Sequence, residues 1–397
     1  MEKGVAITGM GIISAIGNNV EENYGSLLLG RHGISSAQFL STHHSQIPVG
    51  EIKISNNDLQ TLLKLFPGHS FSRAALLAAV AISEALEQSG LRRTDLQDTG
   101  LISASSVGGM DMTERFYREF PESAENRRFI QAQHPGFTTN RIQEYFGITG
   151  FVTTVSTACS SSANAIMLGA RMIKAGKLKR VIVGGTDCLT KFTLNGFNSL
   201  KILSTENCRP FDEYRTGLNL GEGAAFLILE AEDLIGEKKI LGRVRGYGNS
   251  NDAFHQTASS ESGEGAYLAM QKALVNAGIS AEKIDHINAH GTATKNNDLS
   301  ESVAIKRIFY KDVPDLTSTK AFTGHTLAAA GSVEAVFSLL SLNNAIIFPT
   351  LNFKTPMSET GIFPVSGLKN KKMDLVLSNS FGFGGNCTSL IFGRDEK

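Results

Sequence analysis

No pair of cysteines in this sequence is spaced to hold a metal or to build a disulfide framework. The four, at positions 159, 188, 208 and 387, form no CxxC and no finger-like spacing, which points to free thiols in a reducing cytoplasm. Net charge is missing too, since 38 basic side chains balance 38 acidic ones. No global field therefore draws the chain to nucleic acid or to an anionic membrane, and an acidic partner would need a local basic patch. No apolar run approaches the roughly 20 residues of a membrane span, and the start, MEKGVAITGMGIIS, has no long apolar core with a processing site. There is no GxxxxGK[ST] phosphate loop and no HExxH. GMGIIS begins like a dinucleotide fingerprint, but Ser14 stands where the third glycine belongs, and His43–His44 lie in polar loop sequence. Nucleotide and metal cofactors are not expected.

What is present is a large apolar fraction, 41% of 397 residues, enough for two domains or one duplicated architecture. Short β-rich runs alternate with amphipathic ones in the α/β manner. VAITGMG, GLISASS, RVIVGGTD and GEGAAFLILE read as strands, with helices near Glu21–Leu29 and over Ser72–Ser89. The order then repeats with KILGRVRGYGNS, a helix over Gly265–Ala277, IDHINAH, helices near Leu299–Phe309 and Gly331–Asn344, and MDLVLSNSFGFGGNCTSLIF. The two strand-turn-strand endings, GEGAAFLILE and GFGGNCTSLIF, suggest two similar halves, 1–235 and 236–397. Residues 43–57 and 114–135 read as surface loop and lid.

Within VSTACSSSANAIMLGARMIKAG, the recurrence of Ala165, Leu168, Gly169 and Ile173 predicts a helix with Cys159 in its first turn. Unpaired N–H groups and the helix dipole there favour an anion, which would lower the thiol pKa and suit a nucleophile. A buried structural cysteine is the competing reading. DHINAHGTATKNNDLSES delivers His290 at a strand end, where α/β folds place ligand-handling groups. STKAFTGHTLAAAGSVEA sets Lys320 five residues ahead of a second imidazole, His325. A cysteine can hold an acyl group as a thioester while two neutral imidazoles donate or accept hydrogen bonds beside it. Lys320 and Glu301 could form a charged support for the histidines, or an ordinary ion pair. NSFGFGGNC could turn backbone N–H groups into a cavity as an oxyanion hole, with Phe381 and Phe383 lining an apolar pocket, or it could be a tight turn with core aromatics. Cys387 reads as packing.

Taken in order, VAITGMGIIS, TACSSSANAI, VIVGGTD, RPFDEYRTGLNLGEGAA, AHGTATKNND, TKAFTGHTLAAAG and NSFGFGG resemble the β-ketoacyl-[acyl-carrier-protein] synthases over essentially the whole chain. The resemblance implies a thiolase-like fold of two βαβαβ halves in five layers, α-β-α-β-α, and a homodimer or a heterodimer with a related subunit. It implies that Cys159 accepts an acyl chain from an acyl carrier protein. His290 and His325 would then assist decarboxylation of the malonyl carrier, giving fatty-acid-type elongation. Lys320, Glu301 and Asp298 match supporting residues, and the N–H groups of Cys159 and Phe383 match the oxyanion hole, Phe383 also gating the acyl pocket. Val107, Phe381, Thr292 and Thr294 would line the substrate pocket. Substrates would ride on phosphopantetheine, with no metal and no other cofactor. Lys64, Arg127 and Arg128 are candidates for the carrier-docking patch. Lys295 and the GGNC ending depart from many housekeeping synthases, and TLNGFNSLKILSTENCRPF looks like ketosynthases of polyene pigment pathways, so a specialised polyene or polyketide synthase is an alternative. A silent partner subunit is a further alternative, against which the retained Cys159 argues.

Overall fold

The computed structural model describes residues 4–66, 68–119, 122–123 and 126–395, without the side chain of Arg128. The N-terminal half runs β1 (Val5–Ser14), α1 (Arg73–Ser89), β2 (Gly100–Ala104), α2 (Pro135–Phe146), β3 (Val152–Val155), α3 (Ser161–Lys174), β4 (Arg180–Asp187) and β5 (Gly223–Ala231). The C-terminal half runs β6 (Gly242–Asn251), α4 (Glu264–Ala277), β7 (His286–Asn288), α5 (Lys295–Phe309), β8 (Asp315–Thr317), α6 (Ala330–Asn344), β9 (Leu375–Phe381) and β10 (Asn386–Gly393). Strand order is β3-β2-β4-β5-β1 in the first and β8-β7-β9-β10-β6 in the second, the same path taken twice. In each, two parallel pairings are followed by two antiparallel ones. The half-sheets join through a short antiparallel contact of β1 with β6, Ala6 opposite Arg243 and Ile7 opposite Gly242.

The layers follow from which helices are apolar on which sides. Helix α1 covers the outer face of the first half-sheet, α4 and α5 cover the second, and α3 and α6 lie side by side between the two sheets. This is the five-layered thiolase-like arrangement. From Ala330 to Leu342 every residue of α6 is buried, so it has no solvent-facing stripe, as a helix enclosed on all sides requires. Close approach of sheet and outer helix uses the same device twice. A Cβ on Gly11 of β1 would lie 2.0 Å from the Ala81 carbonyl of α1, and one on Gly248 of β6 would lie 2.1 Å from the Ala269 carbonyl of α4. The glycines of GMGIIS therefore serve helix-on-sheet packing.

Several boundaries shift from the sequence expectation. Cys159 is not in the first turn of α3: Ala158 takes a left-handed φ of 53°, Ser160 is the N-cap, and the helix starts at Ser161. Helix α5 starts at Lys295, four residues before Leu299, because the Thr294 side chain caps it by accepting from the Asn297 N–H. The two expected loops carry structure of their own. Val49–Gly50 pairs with Ile34–Ser35, residues 56–62 are helical, and so are 110–116 and 127–130. Among the described residues, no helix is long and apolar enough to cross a membrane.

Candidate active site

The links that follow the parallel strands converge on one cavity of about 580 Å³. Cys159 stands between β3 and α3, and His325 stands between β8 and α6, the equivalent link of the other half. His290 follows β7, and Phe383 lies in the turn between β9 and β10. All four line this cavity, together with Phe381, Thr292 and Thr294. Val107 lies apart from that group. It walls a second cavity of about 320 Å³ with Leu327, and the two cavities share Cys159, Phe197, Leu200 and Phe383. The Phe383 ring stacks on Phe197 at 5.6 Å and 18°, so an aromatic plate separates the two spaces with the thiol at their junction.

Both imidazoles are buried, their ring centres 5.3 Å apart and nearly perpendicular. Burial and the Lys320 charge hold both well below the ordinary histidine pKa, His290 also feeling His325. Both rings are therefore neutral, and their partners assign the tautomers. The Leu327 N–H donates to His325 Nδ1 at 3.1 Å, and Lys320 Nζ lies 3.3 Å from His290 Nδ1. With an ammonium donating to the latter, each ring carries its proton on Nε2.

Lys320 is buried with three acceptors around it: His290 Nδ1, the His290 carbonyl at 2.5 Å, and the Glu334 carboxylate. The carboxylate partner of Lys320 is thus Glu334 on α6, not Glu301. Glu301 instead accepts the backbone N–H groups of His290 at 2.9 Å and Gly291 at 2.8 Å and the Asn379 amide at 3.2 Å, which holds the His290 loop by its main chain. Burial pushes both carboxyls up to about 7. Asp298 accepts from the N–H groups of Phe211 and Ala293, the latter at a left-handed φ of 66°. Arg215, from RPFDEYRTG, donates to the Thr294 and Lys295 carbonyls and fixes the far end of the same loop. Asp187, within VIVGGTD but without an expected role, accepts from Ser105, Ser106 and the Ala328 N–H and ties the two halves together beneath the site.

The thiol does not behave as a helix-start cysteine. Burial pushes Cys159 up to about 11, against the pull of Lys320 and of hydrogen bonds from the Phe383 and Cys159 N–H groups. The same two N–H groups can receive negative charge on an oxygen bound at the sulfur. Gly382 has to be glycine here, since a Cβ would lie 2.8 Å from the Thr157 carbonyl and 3.1 Å from the Cys159 nitrogen. With a pKa of about 11, the thiolate fraction grows tenfold per pH unit throughout the neutral range. Alkylation of Cys159 by iodoacetamide, followed by mass, should rise about 100-fold from pH 7 to pH 9; a plateau below pH 8 would show an activated resting thiolate instead. The other cysteines are free and buried, including Cys387. Lys64 and Arg127 are exposed, while the side chain of Arg128 lies outside the described residues.

Residues 2–234 match the model of the beta-ketoacyl synthase N-terminal domain, and residues 241–354 match that of the C-terminal domain. Curated relatives include the 3-oxoacyl-[acyl-carrier-protein] synthase 2 of Vibrio cholerae, 34% identical over 98% of this chain and 99% of that protein. The protein of the same name from Staphylococcus aureus is 33% identical over 99% of both. Among solved structures, the ishigamide ketosynthase/chain length factor superimposes with a TM-score of 0.93 at 28% identity over 100% of both chains. A ketosynthase in complex with its chain length factor from Xenorhabdus doucetiae gives 0.87 at 31%, covering 99% of this chain and 98% of that one.

Proposed function

Because the chain belongs to the β-ketoacyl synthase family, a family of acyltransferases, we propose that it lengthens an acyl chain by decarboxylative condensation, with Cys159 as nucleophile and His290 and His325 as the hydrogen-bond donors of the carbon-carbon step. The observation that carries this reading is a buried thiol at the junction of two cavities, beside two neutral imidazoles that each keep their proton on Nε2. In the first step Cys159 Sγ attacks the thioester carbonyl of an acyl carrier. The N–H groups of Cys159 and Phe383 stabilise the oxyanion, and the carrier thiol leaves with the proton. The chain then lies past Phe383 in the smaller cavity that Val107 walls.

In the second step a malonyl group enters through the larger cavity, which both histidines line. The Nε2–H groups of His290 and His325 donate to its thioester oxygen, so the electron pair released with carbon dioxide is held as an enolate. The enolate carbon attacks the Cys159 thioester, the carbon-sulfur bond breaks, and a 3-oxoacyl carrier two carbons longer leaves. Lys320 suits the task because an ammonium donating to His290 Nδ1 keeps the Nε2–H in place without protonating the ring. Thr292, Thr294 and Phe381 are proposed to contact the incoming arm. On this reading the thiol belongs to a half spanning 1–235 and the histidines to a half spanning 236–397.

Carrier proteins on phosphopantetheine are the proposed partners, docked at a basic patch that includes Lys64 and Arg127. A second copy, or a related subunit, is proposed to pair along β3, an edge strand whose four residues are only partly covered. Free, buried cysteines fit the reducing cytoplasm proposed as the location. Incubation with acyl and malonyl carriers should release carbon dioxide and give a 3-oxoacyl product; folded protein that forms neither with any acyl length would sink the proposal. The 0.93 TM-score to the ishigamide ketosynthase/chain length factor favours a second reading, a specialised polyketide or polyene ketosynthase. Comparison of saturated with polyenoyl carriers separates the two.

Val107 tests the smaller cavity. Val107→Phe should cut kcat/KM for chains of twelve or more carbons at least about tenfold and leave short chains within about threefold, since overpacking one wall penalises only a ligand that reaches it. Equal loss at all lengths would mean that the chain lies elsewhere.

A further inference from the structure

The N-cap of α3 breaks a rule of helix starts. Ser160 is a favoured cap residue, yet its hydroxyl does not cap its own helix. It reaches across to the other half, sharing its one proton between Asn386 Oδ1 and the Thr157 carbonyl, each at 2.8 Å. Asn386 is the first residue of β10, immediately after the glycine turn that carries Phe383. Its side-chain oxygen collects two further donors, the Asn164 amide at 2.8 Å and the Asn249 amide at 3.0 Å. The network closes as Thr388 donates to Asn164 Oδ1 and the same Asn164 amide nitrogen donates to Thr157 Oγ1. The backbone carbonyl of Asn386 accepts the Gly382 N–H at 2.8 Å.

One residue thus grips both sides of the oxyanion hole. Its side chain holds Ser160, next to the Cys159 N–H, and its main chain holds Gly382, next to the Phe383 N–H. Gly382 in turn sits against the Cys159 nitrogen too closely to admit a side chain. Left to itself, the turn is built of consecutive glycines, with Gly384 and Gly385 at left-handed φ of 80° and 81° and Gly384 exposed, so little in its own sequence sets the separation of the two N–H groups.

On the reading of Cys159 as the acyl acceptor, we infer that Asn386 is a positioning residue that sets the spacing of the two oxyanion-hole N–H groups and thereby the rate of acyl transfer to Cys159. Neutral amide chemistry fits this task. One oxygen takes three donors from neutral groups, so the clamp adds no charge beside the sulfur.

The test compares acyl transfer, in which both N–H groups must meet the developing oxyanion, with iodoacetamide alkylation, which reads the thiolate fraction; the same N–H groups lower the thiol pKa, but burial and Lys320 weigh more. Asn386→Leu keeps the side-chain size and removes the acceptor. Its acyl transfer from an acyl carrier, read by intact mass, should fall roughly 10- to 100-fold, while alkylation of Cys159 changes less than about threefold. Ser160→Ala removes one of the three donors to Asn386 Oδ1, together with the local contact to the Thr157 carbonyl, and should move the same ratio in the same direction by about three- to tenfold. Should Asn386→Leu fail to fold, Ser160→Ala decides alone. Transfer and alkylation falling together, or transfer unchanged in a folded variant, would overturn the inference. Wild-type protein that takes no acyl group from any carrier is a different failure, that of the acyl-acceptor reading beneath it.

Discussion

Cys159→Ala should abolish the covalent acyl adduct and lower condensation by on the order of 10³-fold or more, because no other group at the junction of the two cavities can form the thioester. The fold should survive the change. One sulfur leaves the edge of an existing cavity, and the expected stability loss is about 1 kcal/mol. The same variant should still release carbon dioxide from the malonyl carrier, since both imidazoles and Lys320 are untouched. Intact mass after incubation with an acyl carrier, and carbon dioxide release from the malonyl carrier alone, read the two steps separately. An adduct that persists in Cys159→Ala would move the nucleophile to another residue, with Cys387, which also lines the larger cavity, examined first.

The largest stability effect should come from Lys320→Ala. It leaves the Glu334 carboxylate buried without its cation and strips His290 Nδ1 of its donor. Breaking a buried pair from one side costs about 3–5 kcal/mol. The pH dependence has a definite sign. Glu334 is already pushed up to about 7 with Lys320 present, and burial raises it further without it. A carboxyl whose folded pKa is raised contributes stability at low pH and loses it as the pH climbs through that value. The gap between wild type and Lys320→Ala should therefore widen from pH 6 to pH 9 in denaturant titrations, and a gap that narrows would contradict the assignment of the pair. Adding Glu334→Gln should restore most of the stability but not the decarboxylation, because the donor to His290 is still missing. Recovery of both would make Lys320 merely structural.

Much of this was legible because the reactive residue types stand in distinctive local sequence. His290 ends a predicted strand, Phe383 lies in a predicted strand-turn-strand ending, Cys159 and His325 are each flanked by small residues before a predicted helix, and the structure brings all four to one cavity. The charge partner of Lys320 was not legible. Glu334 sits in a helical stretch, GSVEAV, where an isolated glutamate reads as solvent-facing, and only full burial of α6 turns it inward. Thiol behaviour was misjudged for a related reason, since the local helix argument has no access to how deeply the sulfur is buried. Ala158 hid the true helix start, because nothing in an alanine announces a left-handed φ. One overlooked signal was available: glycines spaced by one residue in GMG of β1 and GYG of β6 mark the first strand of each half, and they would have strengthened the case for duplication.

The shared strand order carries a consequence for the birth of the molecule. In each half the first strand bonds the last, β1 with β5 and β6 with β10, so neither half-sheet closes until its final segment has left the ribosome. The nascent chain holds Cys159 long before either histidine exists, and α3 waits for α6 as its neighbour between the sheets. Pairings this distant along the chain are slow to form and leave apolar surface waiting. The rise of the Cys159 pKa comes from burial and is absent during that interval; what the nascent thiol lacks is both imidazoles and the Phe383 N–H, all of them from the second half, so the chemistry is armed last, when that half closes over it.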